Sequence, residues 1–371
     1  MPKLYRLADL YHRWRTKSRR RTGKPSGLLL LSCGGLGDTI LFSHAIDAFT
    51  DYATQDEKIT VLLRKDGAKT GFLFPKHIDT LIVDFKRFRK DLRYRLKILN
   101  QLFEANFRSV ITTDYLRHPD LDEAMAFAAQ GVETIAMNVR PWQKYQKQLD
   151  RNAQKYSRLF ESGPTRQDKV LRWFRFANWL TGQDRQPSLK RMDVGDVAAS
   201  TPPLVLIQAF SAVKAKQSAP AVYASLIDAL PDQVQIRFTG APGEMEANPA
   251  FKPLLERPNV AYEDAGFEEL VPMLQKARLV VSVDTAVMHL SAAVGAPTLC
   301  LASAAYVGEI VPYANEHTPI SVDFYYKSMD CEGCLGSCIK PLKDGAYLCI
   351  AELQTQQIIA RAIKLFENSA R

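Results

Sequence analysis

The stretch 277–302, ARLVVSVDTAVMHLSAAVGAPTLCLA, restricts the folds open to this chain more than any other. Residues 279–283 are short, apolar and β-rich, as a strand covered on both faces of a parallel sheet is. Asp284 and Thr285 follow as helix-capping types. The helix they open carries Met288, His289, Ala292 and Ala293 and closes at Gly295, with Pro297 beyond. Residues 298–301 read as the next strand. Such sheets bind ligands beyond the carboxyl ends of their strands, where helix N-termini present free N–H groups and a positive dipole end. Asp284, Thr285 and His289 therefore either surround one anionic group or form an ordinary strand–cap–helix unit.

The same alternation runs along the rest of the chain. Residues 27–32 read as a strand, CGGLGD (33–38) as a glycine turn and 39–49 as a helix, the opening unit of a Rossmann-like half. The glycine spacing is neither the dinucleotide fingerprint nor a P-loop. Asp38 heads the helix, as a cap or as a carboxylate able to act as a base. Strands follow at 59–63, 80–84 and 109–113, with one basic helix from Phe85 to Leu102 between the last two. A helix at 170–180 ends at Gly182, and a linker is expected near 195–203, where Gly, Ser and two prolines gather. A second set then begins: strand 203–208, helix 222–230, strand 234–239 running into TGAPGE (239–244), strand 259–262 and helix 267–277. The last helix is expected at 352–366. Two consecutive α/β halves joined by a linker make a two-lobed enzyme with a cleft.

At 371 residues the chain has length for two cores. No apolar run reaches the length of a membrane span, and the start, MPKLYRLADLYHRWRTKSRRR, is not a secretory signal. A cytoplasmic location is expected. The net charge of +9 is uneven: residues 1–200 hold 36 Lys/Arg against 22 Asp/Glu, and 201–371 hold 13 against 18. The basic half suits a polyanion. No zinc-finger, RNA-recognition or helix-turn-helix signature accompanies it, so nucleic acid is not expected, and an anionic membrane or lipid substrate fits. Leu4, Leu7, Tyr11 and Trp14 recur at helical spacing among arginines and lysines. This extension either lies on a membrane surface or packs on its own domain. Cys331, Cys334, Cys338 and Cys349 form C-x2-C-x3-C-x10-C, a spacing that could hold zinc or iron or leave reduced thiols in a loop. Cys33 and Cys300, at strand edges, read as packing residues.

Four segments in order resemble glycosyltransferase family 9, the ADP-heptose:lipopolysaccharide heptosyltransferases. They are Gly37-Asp38 after the first strand, Lys216 with Tyr223 seven residues on, Thr239 to Glu244, and Asp284-Thr285-Ala286-Val287-Met288-His289. The resemblance covers nearly the whole chain after residue 25. It implies an α/β GT-B fold, two Rossmann-like domains facing each other across a cleft. The expected divisions are an extension (1–24), an acceptor domain (25–200), a nucleotide-sugar domain (201–350) containing the cysteine cluster, and a terminal helix (351–371) crossing back to the first domain. The implied activity is inverting transfer of a heptose or related sugar, most simply from ADP-heptose to the lipopolysaccharide or lipooligosaccharide inner core, on the cytoplasmic face of an anionic inner membrane. Relatives that glycosylate autotransporter proteins supply the alternative of a protein acceptor, and a catalytically weak nucleotide-sugar-binding relative is the other.

The resemblance also implies residue roles. Asp38 deprotonates the acceptor, and Lys216, the N–H groups of Thr285, Ala286 and Val287, and His289 stabilise the leaving diphosphate. Gly35, Gly37, Thr239 and Gly240 line the donor, Glu244 holds ribose hydroxyls, and Asp284 meets sugar hydroxyls or fixes the turn. No cofactor is required. The cysteine cluster, if metallated, is structural and remote from the chemistry. Ser218 and Ala219 stand where the family has Trp and Pro, and Ala286 where it has Gly, so a Cβ would crowd a phosphate there.

Overall fold

Strands β1 (Leu28–Ser32) and β7 (Leu204–Gln208) are buried at every position, as central strands of doubly covered parallel sheets must be. The computed structural model describes residues 4–189, 192, 197, 198 and 200–369. The chain forms two units, Met1–Thr165 with Val170–Gln186, and Arg166–Lys169 with Pro187–Arg371. The boundary thus falls between Gln186 and Pro187. Of the expected linker, residues 195, 196 and 199 lie outside the described residues.

In the first unit β1 leads through α2 (Leu36–Thr50) to β2 (Ile59–Arg64) and β3 (Ile78–Val83). Then come α3 (Phe85–Lys90), α4 (Leu92–Glu104), β4 (Ser109–Thr112), α5 (Asp122–Ala129), β5 (Glu133–Met137), α6 (Gln146–Ala153), β6 (Arg158–Phe160) and α7 (Lys169–Thr181). The strands are all parallel, in the order β3-β2-β1-β4-β5-β6. The single basic helix expected at 85–102 is two helices. Asp91 breaks it by accepting from Tyr94 N–H at 3.0 Å, which caps α4.

The N-terminal helix α1 (Tyr5–Thr16) packs on α4 and α5 through Ala8, His12 and Thr16. It is pinned by Arg95, fully buried, which donates to both carboxylate oxygens of Asp9 at 2.6 and 2.7 Å. Arg6 and Tyr5 reach Asp120 in the same way. With the polar side anchored inward, Leu4, Leu7, Leu10, Tyr11 and Trp14 face outward, Trp14 at 73% exposure. The helix therefore packs on its own unit and still leaves its apolar stripe uncovered.

The second unit repeats the plan: β7, α8 (Pro220–Ala229), β8 (Gln235–Thr239), β9 (Val260–Glu263), α9 (Phe267–Lys276), β10 (Ala277–Val283), α10 (Ala286–Val294), β11 (Thr298–Leu301) and β12 (Val322–Tyr325). Its parallel order is β12-β11-β10-β7-β8-β9. A short α11 (Leu348–Ala351) precedes α12 (Thr355–Asn368). The last helix, expected to return to the first domain, packs on the sheet of the second unit. Ile358, Ala362 and Phe366 are buried in the core formed by β7, β8, β10 and β11, and Arg361 pairs with Asp323 of β12 at 2.8 Å. Residues 166–169 also belong here: Arg166 donates to Val307 O, Asp168 accepts from Ala314 N–H and Lys169 N–H donates to Glu309 O.

Candidate nucleotide-sugar site

Each sheet has one place where successive strands leave in opposite directions: between β1 and β4 in the first unit, and between β7 and β10 in the second. The loops at the carboxyl ends of those strand pairs splay apart and leave a ligand crevice. Asp38, Lys216 and Asp284 fall at these two places, and Thr239, Gly240 and Glu244 follow the neighbouring β8.

In the second unit Lys216 lies on the 3-10 turn after β7 and Asp284 directly after β10. The Lys216 ammonium donates to the Asp284 backbone oxygen at 2.7 Å and sits 2.5 Å from Oδ1 as a charge contact, off the direction of an aligned hydrogen bond. Ser303 Oγ, after β11, donates to Asp284 Oδ2 at 2.9 Å. Burial pushes the Asp284 carboxyl up, and Lys216 and Ser303 oppose the shift. The Tyr306 ring faces the Lys216 ammonium at 4.8 Å. Thr285 then opens α10 in extended backbone, so the first-turn N–H groups of Ala286 and Val287 point beyond the sheet beside that ammonium. Ala286 takes helical backbone, so its Cβ is no conformational burden. His289 lies one turn further in, buried, with Nδ1 2.7 Å from the Tyr313 hydroxyl. It is held inside the helix packing.

Thr239 ends β8, and its hydroxyl donates to Gln208 Oε1 at 2.8 Å. A Cβ on Gly240 would lie 2.7 Å from the Tyr262 hydroxyl and 2.9 Å from Glu244 Oε2, so a larger residue there would push these side-chain ends aside. Glu244 folds back to accept from Ala241 N–H at 2.9 Å. Lys214 Nζ donates to Ala247 O, tying this loop to the one carrying Lys216. The expected Tyr223 is a core residue against Phe238 and Phe251.

In the first unit Asp38 accepts from Gly35 N–H at 2.7 Å and remains half-exposed, so it does cap α2. Gly35 and Gly37 lie in this unit, whereas the other expected donor residues lie in the second. Gly34 of the glycine turn makes room for the Asp38 side chain: a Cβ there would sit 2.5 Å from Asp38 Cβ. Asp114, Ser303, Tyr306 and Tyr313 went unnoticed in the sequence. Asp114 and Ser303 follow strand ends, the same signal that marks Asp284.

The first unit also holds buried carboxylates after β4 and at the start of α5. Asp114 accepts from Cys33 N–H at 2.5 Å, and Asp122 accepts from His118 N–H at 2.6 Å. Burial pushes the Asp122 carboxyl up to about 7, with the His118 N–H opposing and Asp114 adding. A carboxyl raised in the folded state gives stability that is full below its unfolded value and lost as pH rises through the folded one. Unfolding free energy should therefore fall between about pH 4 and 7, by on the order of 4 kcal/mol from this group. Glu57, held at about 2 chiefly by Arg108, acts in the opposite sense and only in more acid solution. Urea unfolding across that window should show the decline in the wild type and a flatter profile in Asp122→Asn. Equal slopes would remove the assignment.

Cys331, Cys334, Cys338 and Cys349 line one small cavity. Among the described residues no group of three or more His, Cys, Asp or Glu side chains is disposed to hold a metal ion. The cysteine loop, expected to be remote from the chemistry, is tied to the segments that carry Lys216 and Tyr306. Tyr347 N–H donates to Ala215 O, next to Lys216, and Leu335 N–H donates to Ala305 O, next to Tyr306.

The family model for glycosyltransferase family 9 (heptosyltransferase) matches residues 148–337. The chain belongs to this family. It is a glycosyltransferase of GT-B fold. Among solved structures, Escherichia coli heptosyltransferase WaaC with ADP is 18% identical at a TM-score of 0.63, covering 92% of this chain and 99% of that one. E. coli ADP-heptose lps heptosyltransferase II is 12% identical at 0.67, covering 93% and 100%. The iron-containing dodecameric glycosyltransferase TibC of enterotoxigenic E. coli is 13% identical at 0.52, covering 94% and 78%. No curated protein sequence matches. Among the described residues of this family 9 chain, no helix is long and apolar enough to cross a membrane.

Proposed function

We propose that the protein transfers heptose from ADP-heptose to the inner core of lipopolysaccharide or lipooligosaccharide with inversion, at the cytoplasmic face of an anionic inner membrane. The observation that carries this reading is the second switch point. There a buried lysine, the open N-terminus of α10 and the Asp284 carboxyl converge, a charge pattern suited to a nucleoside diphosphate. WaaC and TibC have been solved with ADP or ADP-heptose.

In this reading Asp38 takes the proton of the acceptor hydroxyl as its oxygen attacks the anomeric carbon. The bond to the diphosphate oxygen breaks on the opposite face, and ADP leaves. Negative charge grows on that oxygen, and Lys216 with the N–H groups of Ala286 and Val287 stabilises it more than in the ground state. Glu244, with Thr239 and Gly240, is assigned to the ribose end, and His289 positions α10 through Tyr313 rather than meeting substrate. Because these groups supply the positive charge, transfer is proposed to need no divalent ion. The exposed apolar stripe of α1 is proposed to touch the membrane that carries the acceptor.

Incubation with ADP-heptose and a heptose-free lipid-linked core should release ADP, add one heptose to the lipid by mass spectrometry, and continue in EDTA. ADP release with a polypeptide acceptor alone would move the acceptor to protein. ADP binding without turnover on either acceptor would leave a binding relative.

A further inference from the structure

The first unit contains a cavity of about 850 Å³ that shares no residue with the transfer machinery. It lies between α1, α5 and α6. Arg6, Arg13, Lys144, Lys147, Arg151 and Lys155 bring six cations to it from two segments of chain. The two carboxylates that line it are already committed: Asp9 to Arg95, and Asp120 to Arg6, Tyr5 and Gln148. Arg13, Lys147 and Arg151 are exposed and have no ion-pair partner among the described residues. Partial desolvation and the neighbouring Arg13 guanidinium hold the Lys155 ammonium below its ordinary range, with the Glu123 carboxylate opposing them. Helix α1 has thus been pinned where it sets one cation against another, an arrangement that an anion in the cavity relieves.

The floor and rim identify the anion more closely. Phe127, Ala128 and Leu99 give the cavity an apolar wall, and Tyr145 stands at it with His118 and Trp142 packed around its ring. The volume is within the range of small-molecule sites and exceeds what a lone phosphate fills, which leaves room for a sugar or glycerol unit beside it. The cavity also adjoins the uncovered face of α1. Leu10 belongs to both, and Leu4, Leu7, Tyr11 and Trp14 continue outward from it. Apolar residues beside a basic cavity match a bilayer surface, where acyl chains lie next to phosphates.

We propose that this cavity binds the phosphate-bearing headgroup of an anionic membrane lipid while the outer face of α1 enters the acyl boundary. The proposal rests on the membrane contact inferred above, and on neither the donor nor the base. Flotation of the full chain with vesicles of phosphatidylcholine, with or without phosphatidylglycerol, tests it, with ADP affinity measured alongside. The wild type should float only with the anionic vesicles. Arg13→Glu/Arg151→Glu should weaken flotation by about tenfold or more, and Ala124→Trp, which fills the cavity without changing charge, should weaken it as well. Lys69→Glu/Lys76→Glu makes the same charge change near the 3-10 helix at Gly67–Leu73, which packs on α2. This pair should have a much smaller effect, and ADP affinity should be unchanged throughout. Equal losses in the two charge-reversed pairs, or normal flotation of Ala124→Trp, would leave only diffuse attraction and overturn the cavity. Saturable binding of free glycerol phosphate by a wild type that does not float would assign the cavity to a soluble phosphoester and overturn the lipid.

Discussion

Asp38→Asn is expected to lower turnover about a hundredfold or more while ADP affinity stays as in the wild type. The substitution separates the two things Asp38 does. Its oxygen accepts the Gly35 N–H, and an amide oxygen in the same place accepts it too, so α2 keeps its cap. What the amide cannot do is take a proton. Gly34 leaves room for the side chain of either residue, so no repacking accompanies the change. Steady-state transfer from ADP-heptose and equilibrium binding of ADP check it together. Normal turnover would leave Asp38 a cap and place the base elsewhere. Lost ADP binding would show that the first unit holds the donor.

The second large effect is at Lys216, where stability and binding should fall together. Removing one partner of a buried pair costs about 3–5 kcal/mol, and Lys216→Ala leaves the Asp284 carboxylate with Ser303 as its remaining side-chain donor. The Asp284 carboxyl, already pushed up by burial, should then hold its proton to higher pH. The variant's stability should therefore decline further than the wild type's as pH rises. ADP should bind at least about tenfold more weakly, and transfer should slow by more than that, because the departing diphosphate also loses its partner. Lys216→Ala/Asp284→Asn distinguishes the two losses, since removing the stranded charge should restore stability but not ADP affinity. Asp38→Asn/Lys216→Ala should bind ADP no worse than Lys216→Ala alone. Wild-type ADP affinity in Lys216→Ala would take the lysine out of the donor site.

The second switch point was legible because its signals are local. A short apolar run gives way at Asp284 to helical spacing, and a left-handed Gly295 ends the helix. What Lys216 pairs with was not legible, since Asp284 is 68 residues away and nothing in either neighbourhood names the other. The orientation of α1 was hidden in the same way. The sequence shows an apolar stripe, but the Asp9–Arg95 pair, 86 residues apart, decides that the opposite face turns inward. The break at Asp91 did have a local signal, an aspartate before a helical run, but it was masked by the uniform basic and apolar spacing on either side. The last helix carries no mark of its destination, which only the core around Ile358 and Phe366 reveals.

The four residues 166–169 have a consequence for the order in which the chain can assemble on the ribosome. Every strand of the first sheet has been made by Phe160, and α7, which closes that unit, is complete by Thr181. The first unit can therefore collapse soon after Gln186 emerges. The groups that receive Arg166, Asp168 and Lys169 lie at Val307, Ala314 and Glu309. They follow about 120 residues later, or roughly 6–25 s at usual elongation rates. The contacts of this short segment with Val307, Ala314 and Glu309 are therefore among the later ones to form in synthesis rather than the first.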